Sequence, residues 1–154
     1  MITVDIQGAT ELALKMQNSV AFMRRETISA MQDSNEIVVQ GASIYPPETE
    51  ANFPPPPFYI RGVGTQISDT LNLNESEQLG TRWVTDINAT NKGVIGEIDN
   101  TASYAPFVHG RQGQKAYHAG RGWRKVTAIV KQSRSRILDR FNLVALRVAA
   151  FIQH

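Results

Sequence analysis

Trp83-Val84-Thr85-Asp86-Ile87-Asn88-Ala89-Thr90-Asn91-Lys92-Gly93-Val94-Ile95-Gly96-Glu97-Ile98-Asp99 is the most regular stretch of the chain. Trp83, Thr85, Ile87 and Ala89 alternate with Val84, Asp86 and Asn88, and Val94, Gly96 and Ile98 alternate with Ile95, Glu97 and Asp99. A period of two is the pattern of a strand with one covered face and one wet face. Asn91-Lys92-Gly93 supplies the residue types that tolerate positive φ in a tight turn. The spacing therefore predicts a β-hairpin over 81–89 and 94–99, with Asp86, Glu97 and Asp99 on its solvent side.

On either side of the hairpin the period changes to that of a helix. From about Gly8 to Gln40, Leu12, Met16, Val20, Met23, Thr27, Met31 and Val38 recur at spacings of three, four and seven, which predicts a long amphipathic helix ending at Gly41. Three methionines on that stripe suit either an adaptable partner surface or a packed core; at this spacing they are read as core. After the hairpin, Val126, Ile129, Val130, Ile137, Leu138, Phe141, Val144, Ala145, Val148 and Ile152 predict a second long helix. Lys131, Arg134, Arg136, Arg140 and Arg147 lie on its other face as a solvated stripe. The expected fold class is α/β in the α+β sense: long N- and C-terminal helices packed on a small, mostly antiparallel sheet, in a single domain over 1–154.

Between the first helix and the hairpin the chain reads differently. Six of the seven prolines lie in Tyr45-Pro46-Pro47 and Phe53-Pro54-Pro55-Pro56-Pro57-Phe58-Tyr59. A four-proline run lacks backbone donors and is held near polyproline II, so an extended surface arm or loop is expected at about 46–80. Residues 53–78 lack a continuous apolar period and are read as a docking arm. Gly62-Val63-Gly64 is not followed by the residues of a phosphate loop.

Composition narrows the chemistry. The 154 residues contain no cysteine, which excludes disulfides, thiolate metal sites and Cys nucleophiles. No charge-free run exceeds eleven residues, so neither a secretory leader nor a membrane span is expected. The three histidines, His109, His118 and His154, lack the i, i+4 spacing of a metal pair and are read as surface residues. No nucleophile elbow or acid pair in an apolar run marks a catalytic site; no enzyme activity, cofactor or metal is expected.

The net charge of +2 hides a segregation. Residues 1–60 carry three basic and seven acidic side chains, residues 61–110 three and six, and residues 111–154 ten and one. A basic final third either binds nucleic acid or pairs with the acidic remainder of its own chain or of a neighbouring copy.

The order of Tyr45 to Pro47, Pro54 to Pro57, an Arg-Gly-Val-Gly stretch, Leu79-Gly80-Thr81-Arg82-Trp83 entering the hairpin, Asn100, Tyr104-Ala105-Pro106-Phe107-Val108 and Gly122-Trp123 before a long helix resembles the tail-component family of tailed bacteriophages, small tail-completion or head–tail joining proteins. The likeness covers about Tyr45 to the end, with residues 64–78 as an insertion. It implies a structural subunit of a ring, six-fold by expectation, placed in the virion neck or tail. The implied partners are copies of itself, a head-completion or portal-side connector protein, and a tail tube or terminator protein. DNA would pass through the lumen without sequence-specific binding, and no membrane is involved.

Two function classes follow. In an assembly protein the chemistry is association, and Phe53, Phe58, Tyr59, Tyr104, Phe107 and Trp123 are the candidate interface anchors, with Tyr117 beside them. In a nucleic-acid module, Tyr117, His118 and Trp123 would stack among Arg111, Lys115, Arg121, Arg124 and Lys125. The segment Tyr104 to Val108 is expected to be an irregular or edge strand, because Pro106 removes a donor.

Overall fold

The computed structural model of the chain describes residues 9–47 and 79–153. The hairpin forms where the alternation places it, as β1 (Trp83–Thr90) and β2 (Gly93–Asn100) paired antiparallel. The register sets Ile87 opposite Gly96 and Ala89 opposite Val94. Asn91 and Lys92 form the two-residue turn, and Gly93 takes the positive φ (+152°) that a side chain would resist.

A two-stranded ribbon is marginal in water until something covers a face of it. Here α1 (Ala9–Ser43) lies across the inner face, where Val94, Gly96 and Ile98 are half-buried. Gly96 sets the approach distance: a Cβ there would stand 2.6 Å from Asn35 Oδ1 and 2.8 Å from the Met31 thioether. The Asn35 amide donates to the carbonyls of Asp86 (3.4 Å) and Glu97 (3.3 Å), tying helix to both strands.

Two very short helices follow the hairpin, α2 (Ala105–His109) and α3 (Ala116–Gly120), and then the long α4 (Val126–Gln153). α4 runs antiparallel to α1, as four meetings show: Ile129 at Gly41, Arg140 at Asp33 (3.7 Å), Arg147 at Glu26 (2.9 Å) and Phe151 stacked on Phe22 with centroids 4.4 Å apart. The expected fold class is what the chain adopts: long N- and C-terminal helices on a two-stranded antiparallel sheet.

Buried side chains form two clusters. Val38, Ala42 and Ile129 join Trp83, Ile98, Val126 and Ile137 between the helices and the hairpin. Leu79, Ala102, Ala105 and Val108 join Tyr104 and Trp123 under α2.

Two expectations are corrected. Gly41 does not end α1, which continues to Ser43. It serves the crossing instead, since a Cβ on Gly41 would lie 2.8 Å from Ile129 Cγ2. The Tyr104–Val108 block is not a strand but the short helix α2, with Pro106 in its first turn. There proline's missing N–H has no helical partner to lose, and its fixed φ favours the helix.

Candidate assembly surface

Of the six anchors expected from sequence, Phe53, Phe58 and Tyr59 lie outside the described residues, as does the proline run. The ends of that segment are described, and they meet: the Tyr45 hydroxyl accepts from the Gly80 N–H at 3.1 Å, and Leu79 is fully buried. Tyr104 and Trp123 face inward. The Tyr104 hydroxyl accepts from the Leu79 N–H at 3.3 Å, and Trp123 packs edge-on to Tyr45 and His109. Phe107 alone of the described anchors points outward, 44% exposed, with the Lys115 ammonium 5.5 Å from its ring centre.

His109 is not the surface histidine expected. It is buried between Trp83 and Trp123, and its Nδ1–H is donated to the Arg124 carbonyl at 2.7 Å. A carbonyl only accepts, so Nε2 is left as the acceptor, and it has no partner among the described residues. Burial lowers its pKa and the Arg124 charge adds to that, against the opposing effect of the carbonyl bond. Ala105, Val108 and His109 share the i, i+3, i+4 spacing of one helical face and are all buried, a pattern that becomes informative only once the segment is known to be helical.

The surface that sequence reasoning missed lies at the far end of the helix pair. At about 1.5 Å per residue α1 spans about 52 Å, whereas an eight-residue strand spans about 27 Å. The hairpin tip stops at Arg24, whose guanidinium donates to the Ala89 carbonyl at 2.9 Å. Beyond it the apolar stripe of α1 continues with no described residue over it: Met16 is 63% exposed, Val20 60% and Met23 47%. The reading of these methionines as core holds only for Met31, which is half-buried against Gly96. The C-terminal half of α4 matches this end. Residues 141–152 carry a single charge, Arg147, and Leu143, Leu146, Phe151 and Ile152 are exposed. A helix apolar on every side belongs in an interior. Between the two helices lies an open groove of about 820 Å³, walled by Met16, Val20, Met23, Val148, Phe151 and Ile152.

Charge pairing runs within the chain along the helix interface. Arg147 reaches Glu26 and Arg140 reaches Asp33. Arg147 holds the Glu26 carboxyl below the usual carboxylate range through its hydrogen bond and its charge. Arg124 donates to the Gly41 carbonyl at 2.9 Å and to Gln132 at 2.6 Å. Part of the basic final third therefore answers the acids of the first. Among the described residues no group of three or more His, Asp or Glu side chains could hold a metal ion, and no helix is long and apolar enough to cross a membrane.

No protein-family model, no curated protein and no solved structure matches this chain.

Proposed function

We propose that the chain is a structural subunit of a tailed-bacteriophage particle, closing into a ring at the head–tail joint or the tail end. The observation that carries this reading is the open apolar end of the α1–α4 pair, where Met16, Val20, Met23, Leu146, Phe151 and Ile152 face solvent. Contiguous apolar surface of this kind marks a site of association. The motif order from Tyr45 to Trp123 and the arrangement of long helices on a small antiparallel sheet support the same class. Its partners are further copies of the chain, a portal-side connector and a tail tube or terminator protein, with DNA passing through the lumen. Electron-microscope class averages of the purified protein, with its copy number in assembled particles, test the reading. Six copies in a ring are expected, and a single copy per particle overturns it.

A second reading, nucleic-acid binding, is favoured by one observation. Tyr117 is 56% exposed, with the Arg121 guanidinium 5.7 Å from its ring centre and the His118 ring 4.1 Å away. Such a group can stack on a base. Titrating DNA binding with salt separates the two, since phosphate contacts weaken steeply as salt rises.

A further inference from the structure

We infer that the open groove at the α1–α4 end receives the aromatic and proline run Phe53 to Tyr59 from the next copy of this chain, so that neighbours in the ring are joined arm to groove. The inference rests on the ring reading above and names its contact. The groove lies among the described residues and the run outside them, so the run is identified from sequence and the copy that supplies it from length.

The groove suits an occupant that is apolar and nearly uncharged. It is lined by the stacked rings of Phe22 and Phe151, with centroids 4.4 Å apart, and by Met16, Val20, Met23 and Ile152. Of its two cations, Arg147 is already engaged by Glu26 at 2.9 Å, which leaves Lys15. The outward face of the hairpin, with Asp86, Glu97 and Asp99, is therefore a poor fit. Residues 51–60, Ala-Asn-Phe-Pro-Pro-Pro-Pro-Phe-Tyr-Ile, carry no charge and set three aromatic rings around four prolines. A run of four prolines is held near polyproline II by its own rings, so docking costs it little chain entropy, and grooves with aromatic walls are what such runs bind. Methionines let a wall adapt to the rings it meets. Glu48 and Glu50, just ahead of the run, supply the opposite charge for Lys15.

Length decides against the groove of the same chain. Pro47, the last described residue before the run, lines a small cavity with Gly41, His109 and Ile129. Along α1 from Gly41, Met23 lies about 27 Å away and Met16 about 10 Å farther. The links from Pro47 carry Phe53 at most about 22 Å, short of the near end of the groove. A run with Phe53 seated must therefore come from another copy. Residues 60–78 give the chain length to return from that copy to Leu79, which is fully buried in its own domain. An arm and a groove at different places on one subunit make a heterologous contact, the kind that builds rings.

Because the chain has no cysteine, introduced thiols report the contact cleanly. Val20→Cys marks the groove at an exposed position, and Asn52→Cys marks the arm while leaving its rings in place. After mild oxidation, mixing the two single variants should give a mixed disulfide dimer, and a chain carrying both should give a ladder on a non-reducing gel. An excess of a synthetic peptide of residues 48–62 should suppress the ladder, and the same peptide with Phe53→Ser, Phe58→Ser and Tyr59→Ser should not. Adding Met23→Lys, at another exposed position, should cut ladder yield about tenfold, as the docked run would then bury an unpaired charge. A disulfide within single chains of the double variant, without a ladder, seats the arm in its own groove and overturns the inference. A homodimer of Val20→Cys formed in preference to the mixed dimer means groove-to-groove pairing and overturns it too. Light scattering of the unmodified protein separates the remaining failures. No cross-link together with a closed oligomer overturns the contact and leaves the ring; no cross-link together with a monomer at every concentration overturns both.

Discussion

His109 has one proton-bearing nitrogen committed to the Arg124 carbonyl and the other buried without a described partner. Protonation would place a charge between Trp83 and Trp123 with no described residue to receive the new N–H. Its folded pKa is depressed below its unfolded value of about 6.5. The neutral form is thus favoured by folding: the stabilisation is complete above about pH 6.5 and is lost as pH falls through the folded value. Urea unfolding midpoints should drop between pH 7.5 and pH 5, and His109→Phe should flatten that drop. An unchanged slope in the variant would show that other groups carry the acid sensitivity. Gly96 offers a second test at this scale. Its Cβ would meet Met31 and the Oδ1 of Asn35, whose amide nitrogen donates to both strands, so Gly96→Ala should cost about 1–3 kcal/mol in denaturant unfolding. A neutral result would mean that α1 can slide off the hairpin at no cost.

At the scale of elements, α2 depends on a side chain outside it. Tyr104 precedes the helix, joins the cluster of Leu79, Ala102, Ala105 and Val108, and accepts from the Leu79 N–H. Tyr104→Ala should cost about 3 kcal/mol through the cavity left behind, and Tyr104→Phe about 1 kcal/mol through the lost hydrogen bond; thermal and urea melts of both variants measure it. Equal melts for all three proteins would place the ring outside the core. The α1–α4 crossing has its own marker in Gly41. Alanine gains roughly 1 kcal/mol in a helix, but here its methyl would press on Ile129, a β-branched side chain that is 2% exposed. Gly41→Ala should therefore lower the melt despite the propensity gain.

For the whole molecule, the test concerns the segment between the described parts. Tyr45 and Gly80 are bonded at its two ends, and lengthening a flexible loop between fixed ends costs only about 0.6 kcal/mol for each doubling. If the chain joins heads to tails as proposed and these residues are its docking arm, deleting residues 66–77 should leave the melt of the isolated protein nearly unchanged and abolish that joining. A deletion that unfolds the domain, or one that still yields infectious particles, would show that these residues are not a docking arm.

What could be read without the fold were the features that repeat along the chain. The hairpin, its turn and both long helices came from periods of two and of 3.6, because backbone geometry imposes those periods wherever one face is covered. Apolar spacing says that a face wants cover, though, and not whether it receives any. Met16, Val20, Met23 and Met31 look alike in sequence; the tertiary structure separated them, because an eight-residue ribbon is too short to cover a 35-residue helix. The same holds for Gly41, Tyr104–Val108 and His109. A glycine that stops a helix and one that admits a neighbour are identical in sequence, as are a proline that ends a strand and one that opens a helix. Which role each plays was decided by what packs against it: Ile129 at Gly41, the Leu79 cluster at Tyr104, and two tryptophans at His109.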